Sequence, residues 1–297
     1  MKLAILNQVE RNARRIREIM GVLGKYGLAD WLAGLPYTWL QQQVQTPDGQ
    51  PIKELTKEER IRLALTEMGP TFIKLGQMLS TRADLIGHDL ANELQELQAQ
   101  TPADPPDAVN KLVEDQLGQP PQQLFADFAP TPLGSASIGQ AHRARLHSGQ
   151  QVVVKVQHDD IESRVTTDLD ILAGFAELAQ QHSEALRAYQ PVELTAAFRR
   201  TLLRELDFAR ERENLERFAR NFNDDETVHF PAAFADLSAH RVLTMEFLEG
   251  VSVSDREALR ESGVDLNEFA RRGAQLYLNM IFRDGFYHAD PHPGNLM

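Results

Sequence analysis

The hydrophobic pattern changes before the middle of the chain from the spacing of helices to the alternation of strands, and this change limits the possible folds. Residues 135–146 and 151–157 flank the turn residues 147–150, a pattern that predicts a β-hairpin. The second segment contains the β-branched run 152–156, which favours a sheet. Helical patterns return from residue 160 to residue 220. We therefore expect an α+β fold.

A basic amphipathic helix is predicted at the N-terminus, beginning near Ile5. Such a helix can lie on an anionic membrane surface. A helix that packs on a core and keeps its charged face in solvent is more common, and we favour it here. The apolar side is formed by Val9, Ile16, Met20 and Leu23, and the basic side by Arg11, Arg14, Arg15 and Arg17.

Proline and glycine mark the other boundaries. The sequence predicts a turn at residues 47–49, a helical block at 56–97 that is interrupted at Gly69-Pro70, a proline-rich linker at 99–107, a short buried strand at 241–247, and a final helix at 265–284 that ends at Gly285.

Lys155 interrupts the valine run of the predicted hairpin. A buried ammonium without a partner is destabilising by several kcal/mol, so this side chain needs a carboxylate or a phosphate. A strand lysine that points into a cleft beside a glycine-containing hairpin is how kinase folds hold nucleotide phosphates. The alternative is an edge-strand lysine whose ammonium reaches water. The residue alone leaves both interpretations open.

Small residues fill the loop 134–140 that leads into the hairpin, and they would let backbone N–H groups approach phosphate oxygens. The glycine spacing resembles a P-loop, but Gln140 stands where that motif needs a lysine, so we reject a P-loop. A flexible β-turn that binds no ligand remains the alternative.

Acidic side chains on a predicted helix offer partners for Lys155. Glu205, Asp207 and Glu211 form this group, and a spacing of four residues would place Asp207 and Glu211 on one helix face. Surface ion pairs within the helix are the alternative. Lys74 and Gln77 share the polar side of another predicted helix, which by itself is ordinary amphipathicity.

The last residues combine an aspartate and an asparagine five positions apart, Asp290 and Asn295. In a phosphoryl-transfer catalytic loop the aspartate accepts the proton of the nucleophile and the asparagine holds Mg²⁺. We expect both to converge with Lys155 on one triphosphate. A metallohydrolase that uses His288, Asp290 and His292 is a disfavoured alternative, because no matching histidine cluster supplies a further ligand.

In combination, these motifs resemble the UbiB/ABC1/ADCK group of atypical, protein-kinase-like proteins, from the first helix to Met297. Residues 74–77 are similar to the KxGQ motif of that group, and residues 135–140 are similar to the alanine-rich loop that replaces the kinase glycine-rich loop. Gly134 and Ser135 depart from alanine at its start. The resemblance assigns nucleotide binding to Ala136, Ser137, Ile138, Gly139 and Lys155.

The resemblance extends to the acidic and C-terminal residues. Residues 205–207 are similar to the ExD motif, and Glu211 corresponds to the glutamate that pairs with the lysine. Asp290 and Asn295 take the catalytic-base and magnesium positions. Glu246 and Leu248 lie where backbone groups of the hinge would contact adenine.

The resemblance implies a protein-kinase-like fold with an N-terminal helical extension and an incomplete C-terminal lobe. The expected segments are N-terminal amphipathic helices at 1–45, a helical extension with the KxGQ motif at 46–128, an N-lobe with inserted helices at 129–250, and the start of the C-lobe at 251–297.

The activity implied is that of an ATPase or small-molecule kinase that binds ATP or ADP with Mg²⁺ and supports ubiquinone or related isoprenoid-quinone biosynthesis. A non-catalytic nucleotide-binding scaffold of a quinone-biosynthesis complex is the alternative. The expected partners are quinone-biosynthesis proteins or lipid precursors, in the cytoplasm or at the periphery of the inner membrane, with a membrane anchor in the full-length gene product.

The sequence departs from active kinases at two positions. No Asp-Phe-Gly follows Asn295, so a second magnesium ligand is missing and we expect this exact chain to be inactive, as a fragment or a truncated product. Ala289 stands where many kinases have arginine, so control by activation-loop phosphorylation is not expected.

Composition excludes several other classes of protein. The formal net charge of -12 leaves no excess of cations for general nucleic-acid binding. The chain contains no cysteine, which rules out disulfides and thiolate chemistry. The N-terminus lacks the apolar core of a signal peptide, and no apolar stretch approaches the ~20 residues that cross a bilayer.

Overall fold

A computed structural model of the protein describes residues 2–28, 54–97, 101–289 and 296–297. The chain divides into two compact units. The first unit comprises Met1–Arg212 and Phe234–Thr244, and the second comprises Glu213–Ala233 and Met245–Met297. The turn predicted at 47–49 lies outside the described residues.

Helices form the N-terminal part of the first unit. Thr56 and Glu59 make a capping box that starts one of them, and Gly69 ends it with a positive φ of 97°. Pro70 then occupies the first turn of the next helix, where a missing N–H is harmless. The predicted break at Gly69-Pro70 is therefore confirmed. The helices are α1 (Lys2–Lys25), α2 (Lys57–Met68), α3 (Pro70–Ser80), α4 (Ala83–Ile86) and α5 (His88–Gln95).

Helix α1 packs on the core, as favoured from its sequence. Ile19 and Tyr26 are buried in one cluster with Leu65 and Phe72 of α2 and α3. Ile16, which the periodicity assigned to the apolar side, is exposed. The charged face of α1 points to solvent at Arg14 and Arg17.

The predicted linker is shorter than expected. Helix α6 (Pro106–Leu117) begins inside it, with Pro105 at the N-cap and Pro106 in the first turn. The prediction was wrong for residues 106 and 107, because proline is compatible with the start of a helix. A short helix α7 (Pro121–Leu124) follows.

The predicted hairpin is present, with residues 139 to 145 paired antiparallel to residues 157 to 151. In the second strand Val152, Val154 and Val156 are buried, so Lys155 lies on the opposite face. The sheet order is β1-β3-β4-β5, with β2 also paired to β3. The strands are β1 (Asp127–Phe128), β2 (Gly134–Ser135), β3 (Gly139–Arg145), β4 (Gln151–Gln157) and β5 (Val242–Glu246).

The predicted helical region 160–220 forms four helices; Ser183 separates the first two, and two further breaks follow. Gln190 adopts a positive φ of 49° before Pro191, and a second break falls at residues 206–207. Asp207 lies in the break at residues 206–207, before the helix that carries Glu211, so the prediction that Asp207 and Glu211 share one helix face was wrong. The helices are α8 (Ile161–His182), α9 (Glu184–Arg187), α10 (Pro191–Glu205) and α11 (Phe208–Asn221).

The second unit has its own small core, formed by Phe218, Phe222 and Met280. The predicted final helix is present, with Asp265 as its N-cap, but its last part is π-helical and Gly285 follows with a φ of 57°. The elements are α12 (Arg256–Glu261), α13 (Leu266–Leu278) and the π-helix Asn279–Arg283; a 3₁₀ turn, Ala235–Leu237, precedes β5 in the first unit.

One buried ion pair joins α1 to α8. The Arg15 guanidinium contacts both carboxylate oxygens of Asp168 at 2.6 and 3.2 Å, and also donates to the carbonyl oxygen of Met68 at 2.5 Å. Burial opposes the charge on Arg15, but the hydrogen bond and charge of Asp168 prevail and the pKa of Arg15 is raised. Three helices thus meet at one guanidinium.

Replacing Asp168 should therefore be strongly destabilising. We expect Asp168→Ala to lower the free energy of unfolding by about 3–5 kcal/mol, because Arg15 is left without its buried partner. Asp170→Ala, on the same helix, breaks a partly exposed pair with Arg199 and should change the free energy of unfolding by at most about 1 kcal/mol. Urea unfolding measures both values, and equal losses would contradict a special role for the buried pair.

Candidate functional site

Lys155 is held by a carboxylate from helix α11. Its Nζ lies 2.7 and 2.8 Å from the two carboxylate oxygens of Glu211 and 5.1 Å from the ring centroid of Phe208. Strand β4 lies between β3 and β5, so Lys155 is not an edge-strand lysine. The side chains of Lys155 and Glu211 are 31% and 39% exposed, so the ammonium is paired and also accessible.

The break after α10 explains why Glu211 is the partner. The carboxylate of Asp207 accepts the N–H of Ala209 at 3.1 Å and contacts Nδ1 of His240 at 3.0 Å, so Asp207 caps the start of α11. Glu211 lies in the first turn of α11, and its carboxylate reaches Lys155.

A second lysine-glutamate pair links α3 to α10. Nζ of Lys74 lies 2.8 Å from Oε2 of Glu205. On the same helix Gln77 donates to the carbonyl oxygen of Leu97 at 3.2 Å. Lys74 of the KxGQ motif is therefore in direct contact with Glu205 of the ExD motif.

Close packing around residue 76 explains why this motif contains a glycine. A Cβ atom there would lie 2.3 Å from Cδ1 of Leu97 and 3.0 Å from Cδ1 of Leu65. Both leucines belong to the buried core. The absent side chain thus lets α3 approach its neighbours.

The loop before the hairpin is a closed turn. The N–H of Ala136 donates to the carbonyl oxygen of Gly139 at 2.9 Å, and Ser137 is buried. Ile138 packs against the cluster formed by α8 and α10. A Cβ atom at Gly139 would lie 2.4 Å from the carbonyl oxygen of Val156, so only glycine fits against β4.

The sequence did not identify the residues that support this loop. His158 contacts Asp104 and the carbonyl oxygen of Ala136, and Gln140 accepts the N–H of Asp104. Asp104 stands in the proline-rich linker, 54 residues before His158. The only sequence signal for this contact was the position of Asp104 between prolines, and that position does not indicate a partner.

The predicted hinge residues lie in the second unit. Glu246 accepts the N–H of Ala232 at 3.1 Å and contacts Nε2 of His229 at 2.9 Å. Burial opposes the charge on Glu246, but these two contacts prevail and the pKa of Glu246 is lowered. Leu248 is half-buried.

The predicted catalytic residues Asp290 and Asn295 lie outside the described residues, as does His292. Their neighbours belong to the second unit: the rings of Phe286 and Phe218 are 4.6 Å apart, and the carbonyl oxygen of Leu296 accepts the N–H of Val253 at 3.0 Å. Convergence of Asp290 and Asn295 with Lys155 therefore stays a prediction.

The part of the chain that the structure describes contains no group of three or more His, Asp or Glu side chains placed to hold a metal ion. Among the same residues, no helix has both the length and the apolar character that a membrane span requires.

Comparison with known proteins gives a consistent result. Residues 96–297 match the ABC1 atypical kinase-like domain. A relative named probable protein kinase UbiB from Pseudomonas paraeruginosa is 40% identical over 95% of this chain and 54% of its own length. The same name applies to a Marinobacter nauticus relative, 39% identical over 83% of this chain and 45% of its own length.

One solved structure is similar in fold. The structure of Rv3197 in complex with erythromycin, from Mycobacterium tuberculosis, has a TM-score of 0.54 and 29% identity. The similarity covers 75% of this chain and 55% of that one. The chain spans about half the length of the Pseudomonas relatives, 54%.

The contact around Gly76 predicts a measurable effect on stability. We expect Gly76→Ala to lower the free energy of unfolding by about 1–3 kcal/mol, because a methyl group overpacks the contact with Leu97. The matched control is Gly174→Ala on α8, where nothing lies within 4 Å of the new Cβ. That change should stabilise the chain by about 0.5–1 kcal/mol. Similar effects of both substitutions on urea unfolding would refute the close packing at Gly76.

Proposed function

The chain belongs to the ABC1 atypical kinase-like family, and on that premise we propose that it is an ATP-binding protein that acts with Mg²⁺ in ubiquinone or related isoprenoid-quinone biosynthesis. The relatives are named probable protein kinases, and we extend nucleotide use from that name to this chain. The proposed reaction is ATP hydrolysis or phosphoryl transfer to a small molecule.

The contact between Lys155 and Glu211 is the observation that carries this proposal. An ammonium held on a central strand by both oxygens of a carboxylate is restricted in direction before any ligand arrives. Both side chains keep about a third of their surface exposed, so the ammonium can also reach a phosphate oxygen. A purely structural pair would not need this access.

The loop 135–139 fits the same ligand. Its turn is closed by a backbone hydrogen bond, and Gly139 lies directly against β4. Small side chains leave the backbone open to close approach by phosphate oxygens. We propose that Ala136, Ser137, Ile138 and Gly139 hold the phosphates together with Lys155.

The pair of Lys74 and Glu205 favours a small acceptor over a protein. It ties the helix of the KxGQ motif to α10 by an ion pair of 2.8 Å. We propose that this extension restricts access to the nucleotide, which disfavours a protein chain as the phosphoryl acceptor. Asp207 would support the arrangement by capping α11, which carries Glu211.

The remaining roles are assigned from the sequence. Bound Mg²⁺ would neutralise phosphate charge during transfer. Asn295 is proposed to hold the ion, and Asp290 to take the proton of the incoming nucleophile. The backbone at Glu246 and Leu248 is proposed to contact adenine.

Substitution of Lys155 tests nucleotide binding. We expect Lys155→Met to weaken MgATP and MgADP binding on the order of tenfold or more, because a charge-assisted contact to phosphate is lost. The readout is the rise in Tm on addition of nucleotide. Lys111→Met, an exposed lysine on α6, is the matched control and should keep the full rise. Equal rises in Tm for wild type and Lys155→Met would overturn the proposal.

A non-catalytic nucleotide-binding scaffold is the second candidate, because the contacts of Lys155 serve binding as well as they serve turnover. Asp290→Asn separates the two. If the protein is an enzyme, this variant of the full-length gene product keeps nucleotide affinity but loses phosphate release, and the cell that makes it loses quinone production. Retained quinone production with unchanged affinity would favour the scaffold.

A further inference from the structure

His158 directly follows β4 and is buried, and its ring nitrogens face two different oxygen atoms. Nδ1 lies 3.0 Å from Oδ2 of Asp104, and Nε2 lies 2.8 Å from the carbonyl oxygen of Ala136. A carbonyl oxygen can only accept, and Oδ2 of Asp104 already accepts the N–H of Asp159 at 3.1 Å. Both contacts are hydrogen bonds when the ring carries two protons, as an imidazolium beside a carboxylate.

His142 provides the contrast within the same network. The N–H of Asp104 must donate, so Oε1 of Gln140 accepts it at 2.6 Å, and Nε2 of Gln140 is left to donate to Nε2 of His142 at 2.7 Å. Nδ1 of His142 then donates to the carbonyl oxygen of Ala129 at 2.8 Å. One donor and one acceptor suit a neutral ring, and burial also lowers the pKa of His142.

The loop 135–139 depends on His158 at two points. The ring binds the carbonyl oxygen of Ala136, and the backbone N–H of His158 donates to the carbonyl oxygen of Ile138 at 3.0 Å. If Nε2 loses its proton, its lone pair faces the Ala136 oxygen and that contact becomes repulsive. The hydroxyl of Ser135, 3.4 Å from Nε2, can then donate to the bare nitrogen. Protonation thus decides which loop residue the ring holds.

Acidic and basic side chains both occur near His158 in the described part of the chain. Asp104 contacts the ring, and Asp159 and Asp160 follow it in sequence. Arg241 approaches the other side of the residue, where its Nη2 donates to the His158 carbonyl oxygen at 2.9 Å.

We propose that His158 is a positioning residue of the loop 135–139, and that its imidazolium, held by Asp104, fixes Ala136 in the arrangement that receives nucleotide phosphates. The inference rests on the proposed nucleotide function. It makes nucleotide affinity depend on pH: affinity is greatest where the ring carries both protons, and it falls as the pH rises.

Calorimetric titration of the 297-residue chain with MgADP tests this dependence. Measurements at about pH 5.5 and about pH 8 compare binding at the two ends of the range in which histidine side chains change charge. We expect binding to weaken on the order of tenfold across this range, the effect of losing one charge-assisted hydrogen bond. His147→Gln, an exposed histidine in the same hairpin, should keep this dependence.

Asp104→Asn is the discriminating variant. Its amide oxygen can still accept from His158 and Asp159, but the negative charge that favours the imidazolium is gone. We expect weaker binding at about pH 5.5 and a smaller change up to about pH 8. A pH dependence identical to that of the wild type would overturn the positioning role.

Nuclear magnetic resonance of the nucleotide-free chain separates this proposal from the proposed function. In the proposed arrangement both ring nitrogens of His158 carry hydrogen, and the amide resonances of Ala136 and Ile138 should shift together with the ring signals when one proton is lost. A single protonated nitrogen, or loop amides that ignore the titration, would overturn the positioning role. Absence of MgADP binding at every pH, with the loop amides following His158, would refute the nucleotide function and leave the positioning role supported.

Discussion

The proposed nucleotide site depends on the ammonium of Lys155, which lies on an inner strand of the sheet. Lys155 lies on the face of β4 opposite Val152, Val154 and Val156, so burial of the valines and access to the lysine are compatible. Glu211 holds the ammonium from α11. Because both side chains are partly exposed, the pair adds little to stability by itself. Its value lies in fixing the direction of one positive charge.

The surrounding contacts position this pair. Asp207 caps the helix that carries Glu211, and Lys74 binds Glu205 at the end of the preceding helix. The loop before the hairpin is closed by a hydrogen bond between Ala136 and Gly139, and His158, which follows β4, supports it. Short motifs that are far apart in the sequence therefore serve one local arrangement. Under the proposed function, these motifs contribute to one nucleotide site.

The sequence predicted most of the helices and strands, but it did not predict every break between them or most of their contacts. The β-branched run 152–156 and the glycine turn predicted β3 and β4, and Gly69-Pro70 predicted a helix break, because these signals are local. The charge pattern alone left the partner of Lys155 open among three acidic residues, because the choice depends on the helix break at residues 206–207, which that pattern conceals. The family resemblance selected Glu211, and the structure shows that contact. The contact of Asp104 with His158 joins residues 54 positions apart, and nothing local encodes it.

The central claim is that Lys155 contacts nucleotide phosphate. An ATP analogue with a reactive acyl phosphate transfers its acyl group to the lysine nearest the terminal phosphates, and mass spectrometry of the digested protein identifies that lysine. We expect acylation of Lys155 that excess ATP suppresses, and acylation of Lys111 that ATP leaves unchanged as an internal reference. Acylation that bypasses Lys155, or acylation of Lys155 that ATP leaves unchanged, would contradict this claim.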